Sequence, residues 1–396
     1  MKRLSGMVMA VFILLSVCMT GCSQAGLRVI SEENPPYNFT DETGNITGQS
    51  TEIVRQIVSK TGSHVSIEML PWTQGYSIVQ KEPNTVLYST SRIPQREGLF
   101  KWVGPIGTAD NWFYSKQGAG ITIASLDDAK KVKSIAVYKD DSNQIFLQGQ
   151  GFTNLDICQD ATECIKKLVD GKVDLWLGPA EGLQFIAYGA GINPAEIEAV
   201  KFVRRADWYI AFNKETPDST IQAWQQALDD LKKGGDASKM CVYDDIVTSY
   251  ALPHYIMNSL PKEDVVKLTE QTAADIGKDA AGTIALINTG ASPYLSAQNR
   301  ALYVYVFDKY VTEVANADNA AVIGRNFKGV PDMAGKLFRD AIVDNALKNG
   351  SGWEDYVFTL PGKIGLFYKT AYYKLVTGSD GKQYIVCAGR YKEKGD

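Results

Sequence analysis

Apolar and polar positions follow two different patterns along this chain, and the change falls near Tyr250. From Leu27 a short apolar run, LRVIS, gives way to the turn-rich ENPPYNFTDETGNITG. Gln49 to Thr61 then carries Ile53, Val54, Ile57 and Val58 on one helical face, and VSIEMLPW reads as a second strand. Strands alternating with helices predict an α/β domain with a mainly parallel sheet. The alternation continues in SIAVYKDDSNQIFLQ, a strand running into a helix, and in LVDGKVDLWLGP, a helix end followed by a strand. It closes with YIAFNKETPDSTIQAWQQALDDLKKGG, where Thr216, Pro217, Asp218 and Ser219 form a helix start and Gly234 and Gly235 a stop.

Beyond Tyr250, Pro253 and Pro261 punctuate a connector over 251–261. Lys262 to about Leu286 is polar with Val265, Val266, Leu268 and Ile276 at helical spacing. ALYVYVF, a helical stretch around Ala334 to Lys348, GWEDYVFTL, LFYKTAYYKLV and QYIVCAGRY follow, and β-branched and aromatic residues dominate the strand-like runs. A long helix followed by hairpin-like strands predicts an antiparallel sheet, hence an α+β domain over 262–396 that folds by itself.

A length of 396 residues exceeds what one core supports, which agrees with two domains. The net charge of −4 leaves no basic footprint for nucleic acid. Lys2 and Arg3 ahead of the apolar Met7 to Met19 read as a secretion signal, too short for a membrane span. Met19-Thr20-Gly21-Cys22 resembles a lipoprotein signal-peptidase box, which implies a 1–22 signal peptide and a lipid on Cys22; cleavage near Ala25 is the rival reading. No later stretch is long and apolar enough to cross a bilayer, so the chain is expected to be an extracytoplasmic lipoprotein anchored to a membrane face. In an exported protein Cys158 and Cys164 are near enough in sequence for a local disulfide, with buried free thiols as the alternative. With only His64 and His254, neither near the cysteines, no metal is expected.

The most informative chemistry lies in YSTSRIPQREGLFKWVGPI, from Tyr88 to Ile106. Ser89 and Ser91 on alternate positions share one side of an extended segment, and Arg96 follows in the next turn. A guanidinium and two hydroxyls suit a carboxylate. This stretch resembles the clamp region of the family-3 extracytoplasmic solute-binding proteins, the polar-amino-acid receptors of ABC importers: Ser89, Ser91, Arg96, Phe100 and Pro105 match, and Ile93 replaces the usual threonine. The resemblance implies a two-lobe periplasmic-binding-protein-like (type II) α/β domain over 27–250. Lobe 1 would take about 27–107 and 208–250, lobe 2 about 112–205, and ligand would bind between them. It also points to Glu33 as an acid near the cleft and to Ser142, at a helix start, as a carboxylate donor. Tyr37 and Trp72 offer flat faces, with ordinary packing as the competing account. The family usually has an aspartate for the ligand's α-ammonium where this chain has Gly178 or Pro179, so an α-amino acid is a default; Glu181 is a substitute, with a solvated helix start as the competing account.

The second region, from Pro261 to about Lys392, resembles the single Cache domains, PAS-like extracytoplasmic sensor modules. The resemblance rests on the run Leu302 to Asp308, on Ile323 to Asn326, on Asp332 with Gly335, Lys336 and Phe338, on Gly352, Trp353 and Tyr356, and on Cys387 to Tyr391. Asn316-Ala317 departs from the family's histidine-proline. Tyr303, Tyr305, Tyr356, Lys369 and Tyr373 are spaced to put several side chains on one side of the sheet, as a second site for a small carboxylate. Alternating aromatics are also ordinary core, and Lys369 is the member whose buried charge would need a partner. No nucleophile with a base, no paired carboxylates and no phosphate loop are visible, so neither an enzyme nor a cofactor is expected. The expected function is capture of an amino acid or small organic acid for ABC-type uptake. The alternative is a sensing lipoprotein that signals to a separate membrane receptor or kinase.

Overall fold

The computed structural model describes residues 26–396 apart from 42–43, 235–239, 252, 298, 300 and 361–362; Cys22 and Gly235 lie outside the described residues. Lobe 1 opens with β1 (Leu27–Ser31), the small hairpin β2 (Phe39–Thr40) and β3 (Ile46–Thr47), and α1 (Gln49–Thr61), whose Ile53, Val54 and Ile57 are buried. Then come β4 (Val65–Met69), α2 (Trp72–Lys81) and β5 (Thr85–Ser91). The chain crosses to lobe 2 along β6 (Phe100–Lys116), a 17-residue strand. Lobe 2 holds α3 (Leu126–Ala129), β7 (Ile135–Tyr138), α4 (Ser142–Gly149), β8 (Leu155–Cys158), α5 (Ala161–Val169), β9 (Leu175–Pro179) and α6 (Leu183–Gly189). The return runs along β10 (Ile197–Asn213), also 17 residues, into α7 (Asp218–Lys232) and α8 (Val242–Ala251).

β6 and β10 pair antiparallel along nearly their whole length, with register slips between Ala199 and Lys201, Phe202 and Arg204, and Trp208 and Ile210. They join parallel triplets at either end into one eight-stranded sheet, ordered β4-β1-β5-β10-β6-β9-β7-β8. The slips bend the ribbon where it passes between lobes, and strands that bend at bulges make a two-lobe hinge.

The second domain contains α9 (Lys262–Lys278), α10 (Ala280–Ile287), β11 (Val304–Asp308), β12 (Glu313–Asn316), α11 (Phe338–Asn349), β13 (Ser351–Thr359), β14 (Leu366–Thr377) and β15 (Gln383–Tyr391). Its five strands are all antiparallel, in the order β12-β11-β15-β14-β13. One face packs Val304, Val306, Val386 and Ala388 against α9 and α10, and the other packs Tyr305, Phe307, Tyr373 and Cys387 against α11. The architecture is thus the expected α/β two-lobe domain followed by an α+β domain.

Three local expectations change. VSIEMLPW is a strand only to Met69, because Pro71 caps α2 and Trp72 is its first residue. The long helix from Lys262 breaks at Asp279, whose carboxylate accepts the Gly282 N–H and starts α10. The 251–261 connector is not a free tether. His254 and Ile256 bridge to Phe367 and Glu393, and Ser259 bonds Tyr391 and Glu393.

Candidate solute cleft

The two lobes face each other across a cavity of about 890 Å³. Lobe 1 contributes Ser89, Ser91 and Arg96, with Trp72 at the start of α2, and lobe 2 contributes Asp141, Ser142 and Asn143 where β7 turns into α4. Asp140 takes the left-handed φ of 58°, and its backbone carbonyl accepts both Arg96 Nη2 at 2.7 Å and Trp72 Nε1 at 3.2 Å across the cleft. Ser142 Oγ donates to Ser91 Oγ at 3.2 Å, and Tyr138 OH donates to Glu32 at 3.5 Å. The lobes are therefore drawn together by four hydrogen bonds around the expected clamp.

Arg96 is 1% exposed. Its guanidinium lies 5.1 Å from the Trp72 ring centre and 5.0 Å from that of Tyr76, and Nη1 donates to the Ser91 carbonyl. Its Nε–H is buried with no acceptor among the described residues. Ser89 and Ser91 do not share a plain extended face, because Ser89 has a φ of 58° and gives its hydroxyl to Asn38 Oδ1 at 2.6 Å. Both still line the cleft. Ser142 is the first residue of α4, and Asp141 is its cap, which leaves the serine hydroxyl to cross the cleft.

Other residues fall differently. Tyr37 is a core residue: its ring meets Trp208 edge-on, its hydroxyl donates to the Thr108 carbonyl, and Trp208 rather than Tyr37 reaches the cleft. Trp72 lines the cleft, but its ring is stacked on Tyr76 and covered by Arg96. Glu33 lies exposed at the cleft rim with its carboxylate on the Thr40 N–H and hydroxyl. The neighbouring Glu32 is the acid that faces lobe 2, and burial, reinforced by Asp141, pushes its carboxyl up to about 8. At Gly178 a side chain would collide with the Trp176 indole, so a tryptophan fills the place of the usual acid. Glu181 turns away to the Asp110 N–H.

Arg204 escaped sequence reading. It reaches from β10 to Ser142 Oγ and Asn143 Oδ1, and only its place in the basic pair Arg204-Arg205 could have flagged it. Cys158 and Cys164 are joined as a disulfide, and the enclosed Gln159, Asp160, Ala161 and Thr162 all line the cleft.

In the second domain Tyr303, Tyr305 and Tyr356 line a cavity of about 30 Å³ beside Arg339 and Glu313. That is room for about one water molecule, too little for a carboxylate without movement. Lys369 is buried, donates to Tyr303 OH at 3.2 Å and lies against the rings of Phe358 and Tyr391. Tyr373 shares that sheet face but packs against Gly352, away from the cavity.

Residues 27–241 match the bacterial extracellular solute-binding proteins, family 3, and residues 261–393 match Single Cache domain 2. Both are extracytoplasmic modules. No curated protein matches the chain. Among solved structures, an ancestral arginine-binding protein bound to arginine is similar at 20% identity, covering 56% of this chain and 96% of its own, with a TM-score of 0.48. The amino acid ABC transporter substrate-binding protein AbpA from Streptococcus pneumoniae, bound to L-arginine, is 18% identical over 57% of this chain and 94% of its own, with a TM-score of 0.47. A histidine kinase sensor domain with similarity to periplasmic binding proteins is 17% identical over 52% of this chain and 90% of its own, at 0.48.

Proposed function

We propose, for a chain that belongs to the bacterial extracellular solute-binding proteins, family 3, that its lobes close on a small carboxylate-bearing solute, an amino acid or small organic acid, and deliver it to an ABC permease in a separate chain. The observation that carries this reading is the buried, unmet Nε–H of Arg96 in a side chain that lines the cleft. A buried cation with an unused donor is costly, and a carboxylate is the partner whose geometry fits a guanidinium. Ser89, Ser91 and Ser142 add hydroxyls, and Glu32 stands in for the acid missing at Gly178 by giving up its proton as it accepts a solute ammonium. The Cache domain takes a second small molecule once the Tyr303, Tyr305 and Tyr356 rings move apart. Cys22 carries the lipid that anchors the chain; mass spectrometry of the membrane fraction should find it modified and first in the mature protein.

Sensing by way of a membrane partner is the second reading, and one contact favours it: the Cache segment at Gly335 touches Gln184 of lobe 2, so a change at the cleft reaches the Cache domain. The test is a thermal-shift screen of amino acids, amines and small organic acids on the mature protein, because a solute that binds only the folded state raises its melting temperature. A carboxylate-bearing compound is expected to stabilise well beyond its amide. Stabilisation by carboxylate-free amines alone would sink the reading.

A further inference from the structure

Arg204 stands where the β6–β10 ladder slips, opposite Asn111. Its Nη2 donates to Ser142 Oγ at 2.7 Å, and Nε and Nη2 donate to Asn143 Oδ1 at 3.2 and 3.1 Å. Asn143 Nδ2 donates onward to Asn111 Oδ1 at 2.7 Å, and Ser142 Oγ donates to Ser91 Oγ in lobe 1. Ser91, Asn111, Ser142 and Asn143 are all buried and all line the cleft. A guanidinium only donates, so a hydroxyl that receives from it must direct its own hydrogen elsewhere. Arg204 thereby fixes Ser142 as a donor facing the space between the lobes. Among the described residues Arg204 has no carboxylate within ion-pair distance; burial holds it below the ordinary guanidinium range, the more distant Asp141 carboxylate offsets part of that, and Arg96 lowers it further. Two part-desolvated cations that oppose each other favour an anion between them.

We infer that Arg204 is a positioning residue of the solute site: acting through Ser142 and Asn143 it orients the start of α4 and, with Arg96 opposite, makes the slot between the lobes select a carboxylate over its uncharged analogue. The inference rests on the reading of the cleft as a carboxylate site. Arg204→Gln and Arg204→Lys in the mature full-length protein test it, with the best-binding member of a panel of the twenty standard L-amino acids and common small organic acids (acetate, pyruvate, lactate, succinate) as probe and its amide as the uncharged counterpart. Arg204→Gln should weaken the acid by about 10- to 100-fold, the worth of a charged hydrogen bond, and leave the amide nearly unchanged. Arg204→Lys, which keeps the charge but not the fork, should fall between. Equal losses for acid and amide, or unchanged acid affinity, would overturn the inference. Hydrogen exchange without any probe supplies a second readout: the Asn143 and Ile145 amides, both bonded to Asp141, should exchange faster in Arg204→Gln, and unchanged rates would overturn the orienting role. A wild type that binds no panel member counts against the carboxylate reading and with it the selectivity claim, while the exchange result still decides the orienting role.

Discussion

At the scale of single residues, Arg96 is fastened more tightly than a simple ligand clamp. It stacks on Trp72 and Tyr76 and bonds the Ser91 and Asp140 carbonyls, so Arg96→Ala removes packing, an interlobe bond and the cation we propose for the solute's carboxylate together. Affinity for a carboxylate solute should drop by about 2–5 kcal/mol, roughly 30-fold to several thousand-fold, and the melting temperature should fall as well. Calorimetric titration and a thermal melt of the same variant check both. Glu32 gives a pH signature. With its carboxyl raised to about 8, the folded protein holds a proton that the unfolded chain releases from the ordinary carboxylate range upward. Stability therefore declines as pH rises from about 4.5 towards 8 and is flat beyond. Glu32→Gln does not titrate, so its melting temperature should match the wild type near pH 4 and exceed it by a growing margin up to pH 8; a constant offset would refute the shifted carboxyl. The cleft positions of Ser91 and Arg96 were legible because their spacing is a local motif, and that of Ser142 because a strand running into a helix marks a helix start. Glu32 was missed for its neighbour Glu33 because a one-residue change of parity reverses which side chain faces the cleft. Arg204 was invisible because its partners lie 61 and 62 residues away in sequence.

Among elements, strands and helices with their own periodicity were readable, and those set by tertiary contact were not. The pattern of β7, α4, α5 and β9 is local, so each appeared in the apolar spacing. α2 did not, because Pro71 ends an apolar run and starts a helix in one step, and the hinge lengths of β6 and β10 follow from pairing across about a hundred residues. The loop from β8 to α5 combines both kinds of information. Asp160 caps α5 by accepting the Glu163 N–H at 2.7 Å, a local signal, while the Cys158–Cys164 bond closes a short loop of cleft-lining residues. Closing so short a loop restricts the unfolded chain by about 2 kcal/mol. Cys158→Ser with Cys164→Ser should lower stability by about that amount and loosen 159–162. Hydrogen exchange of that loop and a denaturant melt measure the two effects. If both match the wild type, the bond braces nothing.

For the whole molecule, the decisive fact is that the two domains share a core. Val357 and Leu366 of the Cache domain belong to the same buried cluster as Tyr37, Ile53 and Tyr250 of lobe 1, with Met333 and Tyr368 packed against it. A Cβ on Gly365 would strike the Ser249 backbone in α8, and one on Gly335 would strike the Gln184 side chain in lobe 2, so the Cache domain touches both lobes. The sequence pattern located two domains but could not show this, since Val357 and Leu366 read as ordinary strand positions. The independence expected for a fragment from Pro261 must be revised. Cutting there removes the His254 and Ile256 bridges and the Ser259 bonds, and it exposes Val357 and Leu366, each worth about 1.5–3 kcal/mol when buried. Fragment 261–396 should therefore melt at a lower temperature than 253–396, which keeps those edge contacts, and both should melt below the Cache domain in the whole chain. Hydrogen exchange can follow the same core in all three, through amides of β14 and β15. Because Val357 and Leu366 are uncovered in either fragment, adding the connector should recover only part of the difference. A 261–396 fragment as stable as the Cache core of the intact chain would show that the shared cluster contributes nothing, and that lobe closure has no mechanical route to the second domain through it.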